Sequence, residues 1–192
     1  MLDNADGQLA RLSSRITVFG RYLDSELDLL VNAALFGAVA HVSGQPLVAM
    51  AGFLALTAVL GVNFNVERLY RREHGGGTAA MPEATGRADA LLRVVYLVLY
   101  APQDRVVEWF VERRLRGASA ATRLAYHDRT TVAILANLGM STQLLVFGVC
   151  VALGAPLLFA GIALAQLVLV AFLALRRDFL IRPFTRLQED SL

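Results

Sequence analysis

Four long apolar runs constrain this chain more than anything else in it. They cover about Ile16 to Val42, Leu47 to Val66, Thr131 to Leu153 and Leu157 to Leu175. A helix needs ~20 apolar residues to cross the hydrocarbon core of a bilayer. Backbone polar groups in lipid must be paired within their own segment, and the α-helix does this for runs of such length. The expected fold is therefore an all-α membrane protein, a multi-pass helical bundle with four full spans. The composition is too apolar and too weakly charged for an ordinary soluble domain, at 56% apolar, 18% charged and a mean hydropathy of +0.54.

The ends of the runs carry the topology. Ser43–Pro46 and Gly154–Pro156 are short uncharged turns between paired runs. The opposite ends carry Arg11, Arg15, Arg21, Arg68, Arg71, Arg72, Arg123, Arg129, Arg176 and Arg177. Basic residues gather on the cytoplasmic side of membrane proteins. The N-terminus, the long middle loop of residues 71–129 and the C-terminal tail of residues 177–192 are expected inside. Within that loop, His74 to Gly86 reads as flexible, Ala88 to Tyr100 as a short apolar segment ended by Pro102, and Val106 to Arg116 as an amphipathic surface helix. The pair is expected at the cytoplasmic interface, with a re-entrant hairpin as the alternative.

The chemistry lies in the first twenty-eight residues. Asp3, Asp6, Gly7 and Ala10 stand at i, i+3, i+4 and i+7, and so share a face if helical. Gly20, Asp24 and Asp28 form a second stripe at i, i+4 and i+8, which Asn32 extends by a turn. Two such stripes facing each other bring four carboxylates into one small volume. That arrangement needs cations to neutralise it. Oxygen-only ligands select hard ions, Mg2+ or Mn2+, and two divalent ions balance four carboxylates. A pair of such ions is a common clamp for phosphoryl transfer. Gly7 and Ala10 leave room beside the helix, and Arg11 offers a forked donor suited to phosphate.

A plainer reading makes Asp3 a helix N-cap and pairs Asp24 and Asp28 with Arg21 on a solvated face. The second stripe, however, leads straight into the apolar run from Leu29 to Val42, and ionisable residues at such a position are costly and usually functional.

As a pattern the residues read D-x2-D-G-x2-A-R-x8-G-x3-D-x3-D, which resembles the signature of the CDP-alcohol phosphotransferase family at every fixed position. The resemblance implies an integral-membrane transferase that moves a substituted phosphate from a CDP-alcohol to an acceptor alcohol and releases CMP, in phospholipid biosynthesis. It implies that Asp3, Asp6, Asp24 and Asp28 bind two Mg2+ or Mn2+ ions. Asp28 is expected to deprotonate the acceptor as well. Gly7, Ala10 and Arg11 are expected to face the nucleotide and its phosphates, beside Gly20, with Thr17 at a position where a hydroxyl often helps bind the donor. The implied partners are CDP-diacylglycerol or a similar donor, an alcohol acceptor and membrane lipid; a homodimer is left open.

The family has about six spans, so the chain resembles its last four and is expected to be truncated before Asp3, by a misplaced start rather than a broken gene. A single membrane domain over residues 1–192 is expected, poorly active unless extended. Two other functions remain: joining water-soluble polyol phosphates by the same chemistry, and a non-catalytic membrane fragment. The net charge of +2 and the lack of a basic stripe with interleaved aromatics exclude a nucleic-acid partner. Asn63 and Asn65 stand level with the carboxylates, lining an acceptor pocket or bonding a neighbouring helix. Gly52, Gly61, Gly139 and Gly148 read as packing positions. Cys150 reads as core or lipid-facing, His41 as interfacial, and His74 and His127 as without chemistry.

Overall fold

A computed structural model describes residues 18–75 and 101–189, with side chains over 27–75 and 101–182. Every element among them is an α-helix: α1 (Val18–Ser43), α2 (Pro46–Glu73), α3 (Ala101–Arg114), α4 (Ala120–Tyr126), α5 (Arg129–Ala136), α6 (Met140–Ala152) and α7 (Leu157–Glu189). Among the described residues, three helical stretches are long and apolar enough to cross a membrane: Pro46–Glu73, Ala120–Ala152 and Leu157–Arg182. The first expected span has a shorter apolar part, Leu27–Ser43. Its acidic turns belong to the same helix but not to the apolar length, which fits a helix whose other end projects from the hydrocarbon.

α2 is the hub. It packs against α1, α3, α5 and α7. α1 and α2 form an antiparallel hairpin that turns at Gly44, where φ is +67°. The Asn32 amide donates to Thr57 Oγ1 at 3.1 Å, and the Phe36 and Phe53 rings lie 6.3 Å apart edge to face. These two pairs set the register and bring Gly61 level with Asp28, and Asn65 with Asp24. Below them Phe36, Leu56, Phe159 and Ala160 form a fully buried cluster with Cys150. The cysteine is therefore a core residue. Close approach here depends on Gly52, since a Cβ at that position would stand 2.5 Å from Phe36 Cε1 and 2.8 Å from the Ala160 Cβ. Gly148 has no atom within 4 Å of a built Cβ. Helix packing among the described residues thus accounts for Gly52 and not for Gly148.

The third expected span is two helices. α5 ends at Ala136, Asn137 and Leu138 turn, and Gly139 begins α6 as its N-cap at φ −65° and ψ 167°. The stretch expected to cross over Thr131 to Leu153 is long and apolar enough to do so, but a turn interrupts it at Asn137–Gly139. The physical reason is local: Gly139 is extended, and the Asn137 side chain bonds back to the Ala133 carbonyl at 2.7 Å, closing the end of α5. α6 and α7 are then held by reciprocal amide bonds between Gln143 and Gln166, both 3.2 Å. Hydrogen-bonded amides are effective glue between helices surrounded by lipid.

α7 runs well past Leu175, so the expected tail begins as helix. Arg177 is buried rather than solvated. Its Nε donates to the Tyr126 carbonyl at 2.8 Å, its Nη2 lies 3.1 Å from His127 Nδ1, and its guanidinium stacks 4.0 Å from the Tyr126 ring centroid. Beside it, Arg176 bonds Asp128 at 2.8 Å, and Asp128 caps α5 through the Thr131 amide at 3.1 Å. His127 is thereby part of a clamp between α7 and the start of the third span.

α3 is docked along α2 in the same direction. Gln103 Oε1 fills the space over Gly61, Asn65 donates to Asp104 at 2.7 Å, Arg68 bonds Glu108 at 2.8 Å, and Val111 and Leu115 pack with Leu69. The helix therefore begins beside the apolar part of α2 and does not rest wholly on the surface. Its other face keeps the amphipathic character expected from sequence, with Val106, Trp109 and Phe110 exposed and Arg113 stacked 5.5 Å from the Trp109 centroid.

Candidate functional site

The second acidic stripe is the part of the expected site that the structure describes. Gly20, Asp24 and Asp28 all lie in α1. The helical spacing puts the two aspartates on one stripe, a single turn apart. Asp28 is half-buried, and Asn32, one turn further, is fully buried. The Asn32 amide nitrogen is used by Thr57, while its Oδ1 has no hydrogen-bond partner among the described residues. A buried amide oxygen left in that state is costly and calls for an explanation. Asp3, Asp6, Gly7, Ala10, Arg11 and Thr17 lie outside the described residues. Among those described, no three His, Cys, Asp or Glu side chains gather as a metal site would require.

Asp28 faces the broken third span. It lines a cavity of about 430 Å3 together with Ala136, Gly139, Met140, Ser141, Thr142 and Leu144. The wall opposite the carboxylate is therefore the end of α5, the turn, and the first residues of α6. An unbroken helix would present side chains at regular intervals there. The break instead sets two hydroxyls, Ser141 and Thr142, beside an extended glycine.

The two asparagines separate. Asn65 is fully buried; its amide donates to Gly61 O at 2.9 Å and to Asp104 at 2.7 Å, and its Oδ1 accepts from Arg68 at 2.8 Å. It bonds a neighbouring helix, the second of its two expected roles. Asn63 is half-buried.

Residues 1–171 match the CDP-alcohol phosphatidyltransferase family. The chain belongs to that family. The CDP-alcohol phosphatidyltransferases transfer a substituted phosphate from a CDP-alcohol to an acceptor alcohol, and are in general dependent on divalent metal. The apolar helices together with this membership make the chain an integral membrane protein. Neither a search of curated proteins nor one of solved structures returned a match.

Sequence reasoning missed the contribution of the third span to this site. The signal was present in Asn137-Leu138-Gly139 followed by Ser141 and Thr142, a polar interruption within an otherwise apolar run. It also missed Asp104, a carboxylate only 8% exposed and held by α2.

Proposed function

We propose that this protein is a phosphotransferase that joins a CDP-activated lipid alcohol, such as CDP-diacylglycerol, to a second alcohol and releases CMP, serving phospholipid synthesis from the cytoplasmic face of a cell membrane. The observation that carries the reading is the placement of Asp28, the last aspartate of the family pattern, in a cavity large enough for a small substrate. The orientation rests on the arginines, which gather at the end of the bundle that holds Arg68, Arg71, Arg72, Arg176 and Arg177.

In this reading Asp3, Asp6, Asp24 and Asp28 hold two divalent ions, Mg2+ or Mn2+. The donor set suits them, because the described stripe offers only oxygen: two carboxylates one turn apart and the unpartnered Oδ1 of Asn32 beyond them. When bound, the ions neutralise the diphosphate and stabilise charge on the leaving phosphate. Arg11, with Gly7, Ala10, Thr17 and Gly20, binds the nucleotide end of the donor. Asp28 takes the proton from the acceptor hydroxyl. The acceptor oxygen then bonds to the phosphorus distal to cytidine. The bond from that phosphorus to the bridging oxygen breaks, and CMP leaves with the electron pair. The proton passes from Asp28 to solvent.

The test is CMP release by the purified protein in lipid with CDP-diacylglycerol and a panel of alcohols. Turnover with at least one acceptor, nearly abolished in Asp28→Asn, is expected. Wild-type protein that releases no CMP with any pair, while folded and membrane-inserted, would remove the proposal.

A further inference from the structure

The geometry points to Ser141 and Thr142 as the residues that position the acceptor, through hydroxyls exposed by the break in the third span. The inference rests on the function proposed above and assigns the acceptor half of that site.

Four observations carry it. Ser141 and Thr142 share a cavity with Asp28, which takes the acceptor proton. Both residues are exposed. Neither hydroxyl has a hydrogen-bond partner among the described residues, whereas the hydroxyls of Thr57 and Thr131 in the neighbouring helices are satisfied, by Phe53 O at 2.8 Å and Asp128 at 2.6 Å. In a membrane helix the usual fate of a serine or threonine hydroxyl is a bond to the carbonyl of the preceding turn. Here that turn is interrupted at Asn137–Gly139.

Depth supplies the fourth observation. Gln166, the partner of Gln143, stands ten residues before Arg176 on α7, which is ~15 Å along a helix rising 1.5 Å per residue. The break lies between the Gln143–Gln166 pair and the Arg176–Asp128 pair, within the half of the span nearer the charged end. α1 and α2 bring Asp28 to the level of Gly61, seven residues from Arg68, ~10 Å by the same measure. A polar substrate can descend that far from the charged end only into a walled, hydrogen-bonding space. A cavity of about 430 Å3 with a carboxylate on one wall and two hydroxyls on the other suits a small alcohol with at least two hydroxyls. One hydroxyl lies against Asp28 and loses its proton, while a second bonds Ser141 or Thr142. A monohydroxy lipid alcohol satisfies only the carboxylate.

The experiment is steady-state CMP release in lipid, with CDP-diacylglycerol as donor and glycerol, glycerol 3-phosphate, myo-inositol and 1-octanol as acceptors. The wild type should prefer a polyhydroxy acceptor to octanol. Thr142→Val and Ser141→Ala should each raise the KM of that acceptor by about threefold to tenfold, the loss of one modest hydrogen bond. The KM for CDP-diacylglycerol should stay within about twofold, and Thr142→Ser should restore the acceptor KM. The donor KM doubles as the check that each variant is folded. An active wild type with acceptor KM unchanged in both variants, or one that prefers octanol, overturns this assignment alone. A wild type inactive with every acceptor overturns the proposed function instead.

Discussion

Asp28 and Asn65, about one helical turn apart in depth, show how differently two polar residues of a bundle are used. Asp28 points to a cavity and carries the proposed proton transfer. Asp28→Asn keeps the shape but removes the base and one of the four proposed anionic metal ligands, and general-base catalysis contributes ~10^2 to 10^4 in rate. CMP release should fall by about that factor while donor binding, measured by titration with CDP-diacylglycerol, remains. An equal fall in binding would make the residue structural. Asn65 bonds Asp104 across two helices. Asn65→Ala withdraws a donor from a buried carboxylate, which costs about 1–3 kcal/mol. The thermal midpoint in detergent should drop, and an unchanged midpoint would show that α3 is held elsewhere. The sequence made Asp28 legible because the pattern fixes residue type and spacing together. It left Asn65 ambiguous because its partner is thirty-nine positions away, on a helix whose docking depends on Gln103 filling the space over Gly61.

At the scale of elements, apolar length was a good guide and continuity was not. α1, α2 and the start of α7 lie where the hydropathy placed them, since uncharged turns at Ser43–Pro46 and Gly154–Pro156 are hard to misread. The break at Asn137–Gly139 escaped notice because glycine in a membrane helix is commonly a packing residue. Only the backbone distinguishes Gly52, pressed between Phe36 and Ala160, from Gly139, which starts a helix. Their substitutions should differ accordingly. Gly52→Ala places a methyl where two helices already touch, and overpacking of this kind costs about 1–3 kcal/mol. Gly148→Ala meets open space and should leave stability unchanged. Thermal unfolding of the two variants side by side checks this, and equal midpoints would mean that α1, α2 and α7 are not packed as described.

For the whole molecule, the proposed orientation, which rests on the arginine asymmetry, can be tested directly. With Cys150→Ala as background, cysteines at Ser43 and Ala155 should react with an impermeant thiol reagent in intact cells, and one at the exposed Arg116 should not. The reverse pattern would put the carboxylates on the side away from cytoplasmic CDP-alcohols. The half of the site on α1 and the broken span is described by the structure, while Asp3, Asp6 and Arg11 enter through the sequence pattern. In the proposed site, what joins the halves chemically is the need of four carboxylates for divalent cations. The most direct measurement is therefore CMP release from CDP-diacylglycerol by the purified protein in lipid, as Mg2+ is titrated in and then removed with EDTA. Turnover should appear with Mg2+ or Mn2+, vanish in excess EDTA and return on adding the metal back; turnover undiminished in EDTA would contradict the account.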